Sequence, residues 1–455
     1  MQRPYIHGTM AKSQITLKNF FIYNPTYGIK EDEGHKKLLY YYPESTSEDF
    51  KLRSIGLCEA LVNFVGTFQP SEPCQVLHTQ KTRQLFLQPE ENFWMIMTVG
   101  LPSQQKYRNG QLFVEHLSEQ VQDHVYRAVL VSAYRMFKLF TGTFSNLVSH
   151  GGINHLKVQL KRFYDKYMSS LGLQHVDLLD VLNGMQFLPL DRQAFLKVQC
   201  FINMLQFSFK QIRYTVFLCN DQIVWSGLER EDIQVLHHYL KQNVLQSALE
   251  SELLPGFTGS TKQSRFLCGP VNDEASLLRI PPVFLSNGEE CHLLIFRAYN
   301  ATLCILLNTP VTETAFLKEL EAFLTNKLGT LASKISSNYA KLTNMSVGDV
   351  QSKYLYFNHL NLAHKSSIHA DRRMPSEIVR LLADFHEDLK LVKESGEIMA
   401  KTTSEWWVVG KSSGKRELYV VLNQKSANII QVKGKEHVFC HQSSVHAGVT
   451  WPFDI

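Results

Sequence analysis

The sequence predicts an α+β fold made of mainly antiparallel sheets layered with helices, and three observations carry that expectation. Short aromatic and β-branched runs alternate with stretches of helical periodicity, and a related pattern recurs along the chain. At 455 residues the chain is too long for one core, because cores usually stop growing near ~250–300 residues and chains then divide. A hydrophobic content of 44% with 20% charged residues belongs to a folded chain and leaves no room for a disordered majority.

Asn19–Asn24 and Lys37–Tyr42 are aromatic or apolar runs separated by a polar, Gly-containing connection, and read as two strands joined by a long loop. From Ser47, a candidate N-cap followed by Glu48 and Asp49, the spacing Leu57, Cys58, Leu61, Val62, Val65 has the i, i+3, i+4 period of an amphipathic helix. Strands follow at Gln75–Thr79, Gln84–Leu87 and Asn92–Val99, the last two joined across the break Pro89, Glu90, Glu91, Asn92. Phe93, Met95 and Met97 alternate with Trp94, Ile96 and Thr98, two largely apolar rows that mark a buried central strand. The block Glu115–Phe144 sets Val121, Val125, Val129, Met136, Phe137 and Phe140 on one helical face, and Gly151–Leu171 starts another helix after a Gly-Gly break. These elements form a first domain over 14–173.

In a second domain, 174–340, Met185–Leu190 is a short apolar run and Gln193–Phe209 has helical spacing. Tyr214–Ser226 forms a hairpin about Asn220 and Asp221, residues that tolerate positive φ. A helix at Glu231–Leu249, an exposed loop at Ser251–Lys262, strands at Pro282–Leu285, His292–Tyr299 and Thr302–Asn308, and a helix at Thr312–Ser336 complete it. The polar stretch Ser337–Ser352 reads as a linker. The third domain, 350–440, has a strand at Lys353–Phe357, a helix at Ser376–Leu389, and strands at Glu405–Val409, Glu417–Asn423 and Ala427–Val432, with a hairpin turn at Lys411–Lys415.

Signatures of covalent or acid/base chemistry fail on inspection. Gly410–Arg416, GKSSGKR, is one residue short of a phosphate-binding loop, has Arg416 where a magnesium-ligating hydroxyl is required, and lies between strands. His386 and Glu387 begin an apparent H-E-x-x-H, but Lys390 takes the second histidine position, so the pair reads as helix surface. His437, Cys440, His441 and His446 match no zinc spacing; no metal and no cofactor is expected. The eight cysteines lack C-x-x-C spacing and read as buried free thiols of a reducing compartment. A net charge of +5 over 47 basic and 42 acidic residues is no nucleic-acid-binding field, though it permits contact with anionic lipid. The densest basic group is Lys157, Lys161, Arg162 and Lys166, which is also what a solvated helix face looks like. No signal peptide is evident and no apolar run is long enough to span a bilayer, so a cytoplasmic or peripheral protein is expected.

Long stretches carry a family resemblance: NFFIYNP at Asn19–Pro25, GLCEALVNF at Gly56–Phe64, HTQKTRQLFLQPEENFWMIM at His78–Met97, KLFTGTF at Lys138–Phe144 and, further on, YTVFLCNDQIVWSGLE and WWVVGKSSGKRELYVVLNQKSANIIQV. From about Lys18 to Val432 the chain resembles the Ccz family, departing from it at Gln246–Lys262 and Gly434–Ile455. The resemblance implies three longin domains. It also implies a heterodimer with a Mon subunit that exchanges guanine nucleotide on the late-endosomal Rab GTPase, with a third scaffold subunit in animals and peripheral recruitment to late endosomes and lysosomes. A longin-type scaffold or tether without exchange is the alternative. On this basis the seam with Mon is expected on the Ser47–Phe68 helix, through exposed neighbours such as Asn63 with Leu57, Leu61 and Val65, although the three apolar residues could instead pack on their own sheet. Part of the GTPase-facing surface is expected at Pro89, Glu90, Glu91 and Asn92, where two adjacent carboxylates at a strand mouth are poorly explained by core packing. Lys157, Lys161, Arg162 and Lys166 are the candidate lipid-facing group.

Overall fold

The computed structural model describes residues 13–28, 33–68, 73–108, 111–176, 178–188, 190–245, 264–268, 280–310, 314–344, 352–368, 374–392 and 395–423. The chain divides into two compact units, Met1–Val181 and Leu182–Ile455. The expected loop Ser251–Lys262, residues 246–249 of the expected helix before it, the strand Ala427–Val432 and the tail from Gly434, with its histidines and Cys440, lie outside the described residues.

The first unit has strands β1 (Thr16–Tyr23), β2 (Leu38–Tyr42), β3 (Val76–His78), β4 (Thr82–Glu90) and β5 (Phe93–Gly100) in one antiparallel sheet of order β2-β1-β5-β4-β3. The single turn α1 (Gly34–Lys37) precedes β2, and α2 (Glu48–Phe68) crosses from β2 to β3. On the α2 face, Ile55 and Cys58 pack on Phe21, Tyr23, Tyr41, Phe86, Trp94 and Ile96. The other face carries an aromatic network in which Phe20 and Tyr40 meet Tyr164, and Tyr164 stacks on Phe137 with centroids 5.5 Å apart. Those last two rings come from α3 (Asp123–Thr141) and α4 (Phe144–Ser170). The β5 strand is buried along its whole length because helices cover both faces of its sheet, which is why its sequence is an unbroken apolar run.

Two expectations change here. Glu115 belongs to a two-stranded ribbon, β6 (Ser103–Arg108) with β7 (Gln111–His116), so helix α3 begins at Asp123. A helical stretch also precedes the Gly-Gly break: it begins at Phe144 with Thr143 as its N-cap, and at Gly152, with φ 74 and ψ 180, the chain leaves helical geometry before the expected helix runs on, so α4 is two helical stretches joined across a kink.

After α5 (Leu178–Leu182), at whose last residue the division between the units falls, the second unit has α6 (Arg192–Ser208), the hairpin β8 (Ile212–Cys219) and β9 (Gln222–Ser226), and α7 (Arg230–Tyr239). The hairpin turns at Asn220 and Asp221 with φ 48 and 63, as their side chains allow. A π-helical turn at Leu240–Leu245 ends α7, so the helix expected to Leu249 changes winding at Leu240. Strands β10 (Ser264–Cys268), β11 (Pro282–Phe284), β12 (Glu290–Ala298) and β13 (Ala301–Leu307) follow, and then α8 (Thr314–Asn344), which continues through Ser337 into the stretch expected to be linker. The sheet order is β10-β12-β13-β8-β9, with β11 beside β12. The last sheet contains β14 (Ser352–Asn358), β15 (Ala363–Ser366), β16 (Ser395–Lys401), β17 (Trp407–Ser413) and β18 (Arg416–Leu422), with α9 (Ser376–Lys390) between β15 and β16; its order is β15-β14-β18-β17-β16. Strands β15 and β16 were not expected, being short or polar, and the basic hairpin is tighter than expected, turning at Gly414 (φ 60) and Lys415.

Numbered within each sheet, with the sixth strand β11 of the second left out, all three read 2-1-5-4-3, with a helix between the second strand and the third. In each, the fifth strand is central and apolar, as β5, β13 and most of β18 show. The second and third sheets are also joined. In the segment Met185–Leu188, Met185 exchanges backbone hydrogen bonds with β15 (Met185 N–H to Leu362 O, 2.7 Å; His364 N–H to Met185 O, 2.9 Å). Toward β9 the bonds are Ile223 N–H to Gln186 O, 2.7 Å, and Leu188 N–H to Ile223 O, 2.9 Å. This short segment satisfies the open edges of two sheets at once.

Candidate partner interface

Helix α2 starts where Lys51 N–H bonds the Ser47 carbonyl, with Glu48 and Asp49 favourably placed against the helix N-terminus. Its buried side is narrow: Ile55 and Cys58, with Lys51 lying over the Tyr41 ring at 5.8 Å. Leu61 and Val65 pack partly on the same core, so these two serve their own sheet. Leu57 does not; it is exposed, together with Phe50, Phe64 and Phe68. At 3.6 residues per turn, Phe50, Leu57 and Phe64 fall almost on one line, and Phe68 sits one turn beyond. Phe64 and Phe68 are 62% and 75% exposed with rings 4.9 Å apart, an aromatic pair held in water. Asn63 is exposed nearby. The helix therefore has two apolar stripes, one used by its own sheet and one not. The second was legible in the seven-residue spacing Phe50, Leu57, Phe64, which the search for a single i, i+3, i+4 face passed over.

The Pro89–Asn92 turn is built differently from expectation. Pro89 lies at a register shift between Leu87 and Glu90, where no ladder N–H is needed, and Asn92 turns the chain with φ 62. Glu90 is not a free carboxylate. It accepts hydrogen bonds from the Tyr134 hydroxyl (2.8 Å), Phe144 N–H (2.6 Å), Ser145 N–H (2.9 Å) and the Ser145 hydroxyl (2.5 Å). It satisfies two of the orphan donors at the α4 N-terminus and ties β4 to α3 and α4. Burial and the Glu90 charge push the Tyr134 phenol far up, so it stays a neutral donor. Packing thus explains one of the two carboxylates, and Glu91 and Asn92 are the exposed groups of the turn.

Comparison with known proteins places these features. Family profiles match residues 17–142 as the first longin domain of INTU, CCZ1 and HPS4, residues 212–329 as Intu longin-like domain 2, and residues 348–437 as Intu longin-like domain 3. Vacuolar fusion protein CCZ1 homologs from Xenopus laevis and Nematostella vectensis are 40% and 42% identical to this chain. They align over 93% and 94% of it and 95% and 97% of their own length. A homolog from Dictyostelium discoideum is 26% identical over 92% of the chain. The chain belongs to the CCZ1 family of vacuolar fusion proteins. Its three sheets are longin-like domains, and the exposed stripe of this CCZ1-family chain lies on the first of them.

The remaining candidates are less concentrated. On α4, Lys161, Arg162 and Lys166 are exposed, but Lys161 pairs with Glu44 at 2.5 Å, and Lys157 is half-buried, its ammonium pKa lowered by desolvation. Cys58, Cys74, Cys219, Cys291 and Cys304 are buried free thiols, whereas Cys200 is exposed. His386 is not helix surface: it is 2% exposed and donates from Nδ1 to Glu417 at 2.7 Å. Glu417 also accepts from His359 Nε2 and the Tyr419 hydroxyl, each at 2.7 Å. Burial opposes its charge, but these donors outweigh burial and hold the carboxyl well below the usual range. Periodicity could not reveal this cluster, because its members come from the turn after β14, from α9 and from β18. Among the described residues no group of three or more His, Cys, Asp or Glu is arranged to hold a metal, and no helix is long and apolar enough to cross a membrane.

Proposed function

We propose that this chain is one subunit of a heterodimeric guanine nucleotide exchange factor that activates the late-endosomal Rab GTPase of the Rab-seven class, paired with a Mon subunit. CCZ1-family membership and the longin domains support a role in membrane trafficking. The observation that carries the finer reading is the exposed Phe50, Leu57, Phe64, Phe68 stripe on the first longin domain, which leaves an aromatic face without cover from its own unit. Asn63 flanks that seam, and Leu61 and Val65 support it from beneath.

Exchange makes and breaks no covalent bond. A factor that binds the nucleotide-free GTPase more tightly than the loaded form weakens nucleotide binding by the same ratio, at ~1.4 kcal/mol for each factor of ten. In the free GTPase the phosphate-loop lysine has lost its anionic partner, and a carboxylate placed near it favours that state. Of the Pro89, Glu90, Glu91, Asn92 turn, Glu91 is the group able to do this, since Glu90 is committed to α4.

Arg162 and Lys166, with lesser help from the paired Lys161 and half-buried Lys157, add a weak attraction to anionic lipid of ~1 kcal/mol per exposed cation. It favours peripheral recruitment to late-endosomal and lysosomal membranes, with a third scaffold subunit in animals. Nucleotide release from a panel of Rab proteins, measured with the purified heterodimer, tests the proposal. Release from a Rab-seven-class protein alone is the expected result. Assembly of the pair without release from any Rab would instead leave a trafficking scaffold or tether.

A further inference from the structure

We propose that the groove between α6 and α8 of the second longin domain receives an amphipathic helix of a partner protein whose inner face is apolar and whose flanks carry carboxylates. Three features lead there. The groove is open, has a volume of about 480 Å³ and has Leu196, Cys200, Phe201, Met204 and Leu331 among its lining. Leu196, Cys200 and Met204 are exposed at four-residue spacing, and Phe207, one turn on, is 84% exposed, so the stripe continues along α6 past the groove. The charged residues of the lining are Lys197, Lys327 and Lys334, of which Lys334 is already engaged elsewhere, and the lining contains no carboxylate.

Both walls are helices, whose backbone groups already pair internally. They have no ladder to offer an incoming strand, whereas a helix arrives with its own backbone satisfied. No buried polar side chain converges on the groove to orient a small ligand. An apolar lining with lysines on both walls selects a helix with Leu- or Phe-like residues at i, i+4 and i+7 or i+8 and Asp or Glu beside them. This site is independent of exchange activity.

The test uses the assembly isolated from cells through a tag on this chain. Cys200 is alkylated with iodoacetamide in the assembly and in the free chain, and zero-length carbodiimide cross-links of Lys197 and Lys327 are mapped by mass spectrometry. Expected are at least tenfold slower alkylation in the assembly, and cross-links to carboxylates spaced three or four residues apart on one partner segment. Lys197→Glu with Lys327→Glu should abolish those cross-links and restore alkylation, while Lys318→Glu, on α8 outside the groove, should not. Equal alkylation rates in wild-type assembly and free chain overturn the proposal without any variant having to fold. Cross-links to a second copy of this chain, or protection of Cys200 by phosphatidylserine vesicles alone, overturn it equally.

Discussion

Replacing Glu90 by Ala removes the acceptor for four hydrogen bonds at once, two of them from backbone donors at the α4 N-terminus. Losing a helix cap costs ~0.5–2 kcal/mol, a bond to a charged acceptor ~1.5–3, and the favourable charge at the helix end ~0.3–1. These overlap, because the Ser145 bonds can be taken over by water while Phe144, which is buried, leaves its N–H with no substitute. A net loss of about 2–4 kcal/mol is expected, or roughly 5–15 °C in the melting of a unit of this size. Glu90→Gln keeps one acceptor oxygen and should lose about half as much, whereas Glu91→Ala, at an exposed site, should stay within ~0.5 kcal/mol. Melting alone would blend the two units, so hydrogen exchange at Ser145–Leu147 is the decisive readout. If those amides stay as protected in Glu90→Ala as in wild type, Glu90 does not hold α4 and the account of this turn is wrong. The comparison also separates structure from exchange: slower nucleotide release from Glu91→Ala with unchanged protection would belong to the GTPase surface alone.

Phe64→Asp with Phe68→Asp should leave the free chain's stability within ~0.5 kcal/mol, because both rings already face water, yet weaken the heterodimer by 2 kcal/mol or more, roughly thirtyfold. Gel filtration of the co-expressed pair checks it, and an intact pair refutes the seam. Glu417 is held below its unfolded value near ~4.3, so its contribution is fully present above that pH and is lost as the pH falls below it. His359, His386 and Tyr419 face it, and Glu417→Gln should lower stability at pH 7 while flattening the loss between about pH 5 and pH 3, followed by urea titration at each pH. Gly184→Ala would set a Cβ 2.7 Å from His364 Nδ1 and 2.9 Å from the Phe357 ring, and overpacking of that kind costs ~1–3 kcal/mol. Faster hydrogen exchange at Met185 and His364 is the expected sign, and unchanged exchange there would show that the joint between the sheets tolerates it.

The central strands were the most legible elements, since β5 and β13 are apolar on both faces and only a covered strand needs that pattern. Strands β15 and β16 were illegible for the opposite reason: their residues, AHKS and SGEIMAK, are short or half-polar, and the ladder with β14 and β17 makes them strands. Periodicity found the inner face of α2, but burial had to show that Leu57 belongs to the outer stripe. Glu90 and His386 were misjudged alike. Each has a local sequence that looks solvated, and each is claimed by a hydrogen-bond partner far along the chain, 54 residues away for Phe144 and 31 for Glu417.

The same 2-1-5-4-3 sheet can serve three tasks because its edges and outer helices are free to differ while the central strand is not. In the first domain the crossing helix α2 keeps a second apolar stripe, so the sheet's cover is also a surface to be covered. In the second domain the crossing helix α7 has Ile233, Val235 and Leu236 buried, and the exposed apolar side chains shift to α6. In the third, α9 buries Ile378, Leu382, Phe385 and His386, and its polar content turns inward to Glu417. One edge of each of the last two sheets is closed through Met185–Leu188, which removes two sites where a foreign strand could pair. Among the described residues of that unit the exposed apolar side chains include the α6 stripe, which lies on a helix face. A partner docking on such a helix face would be met through side chains, a mode in which apolar spacing and flanking charge set the choice of partner.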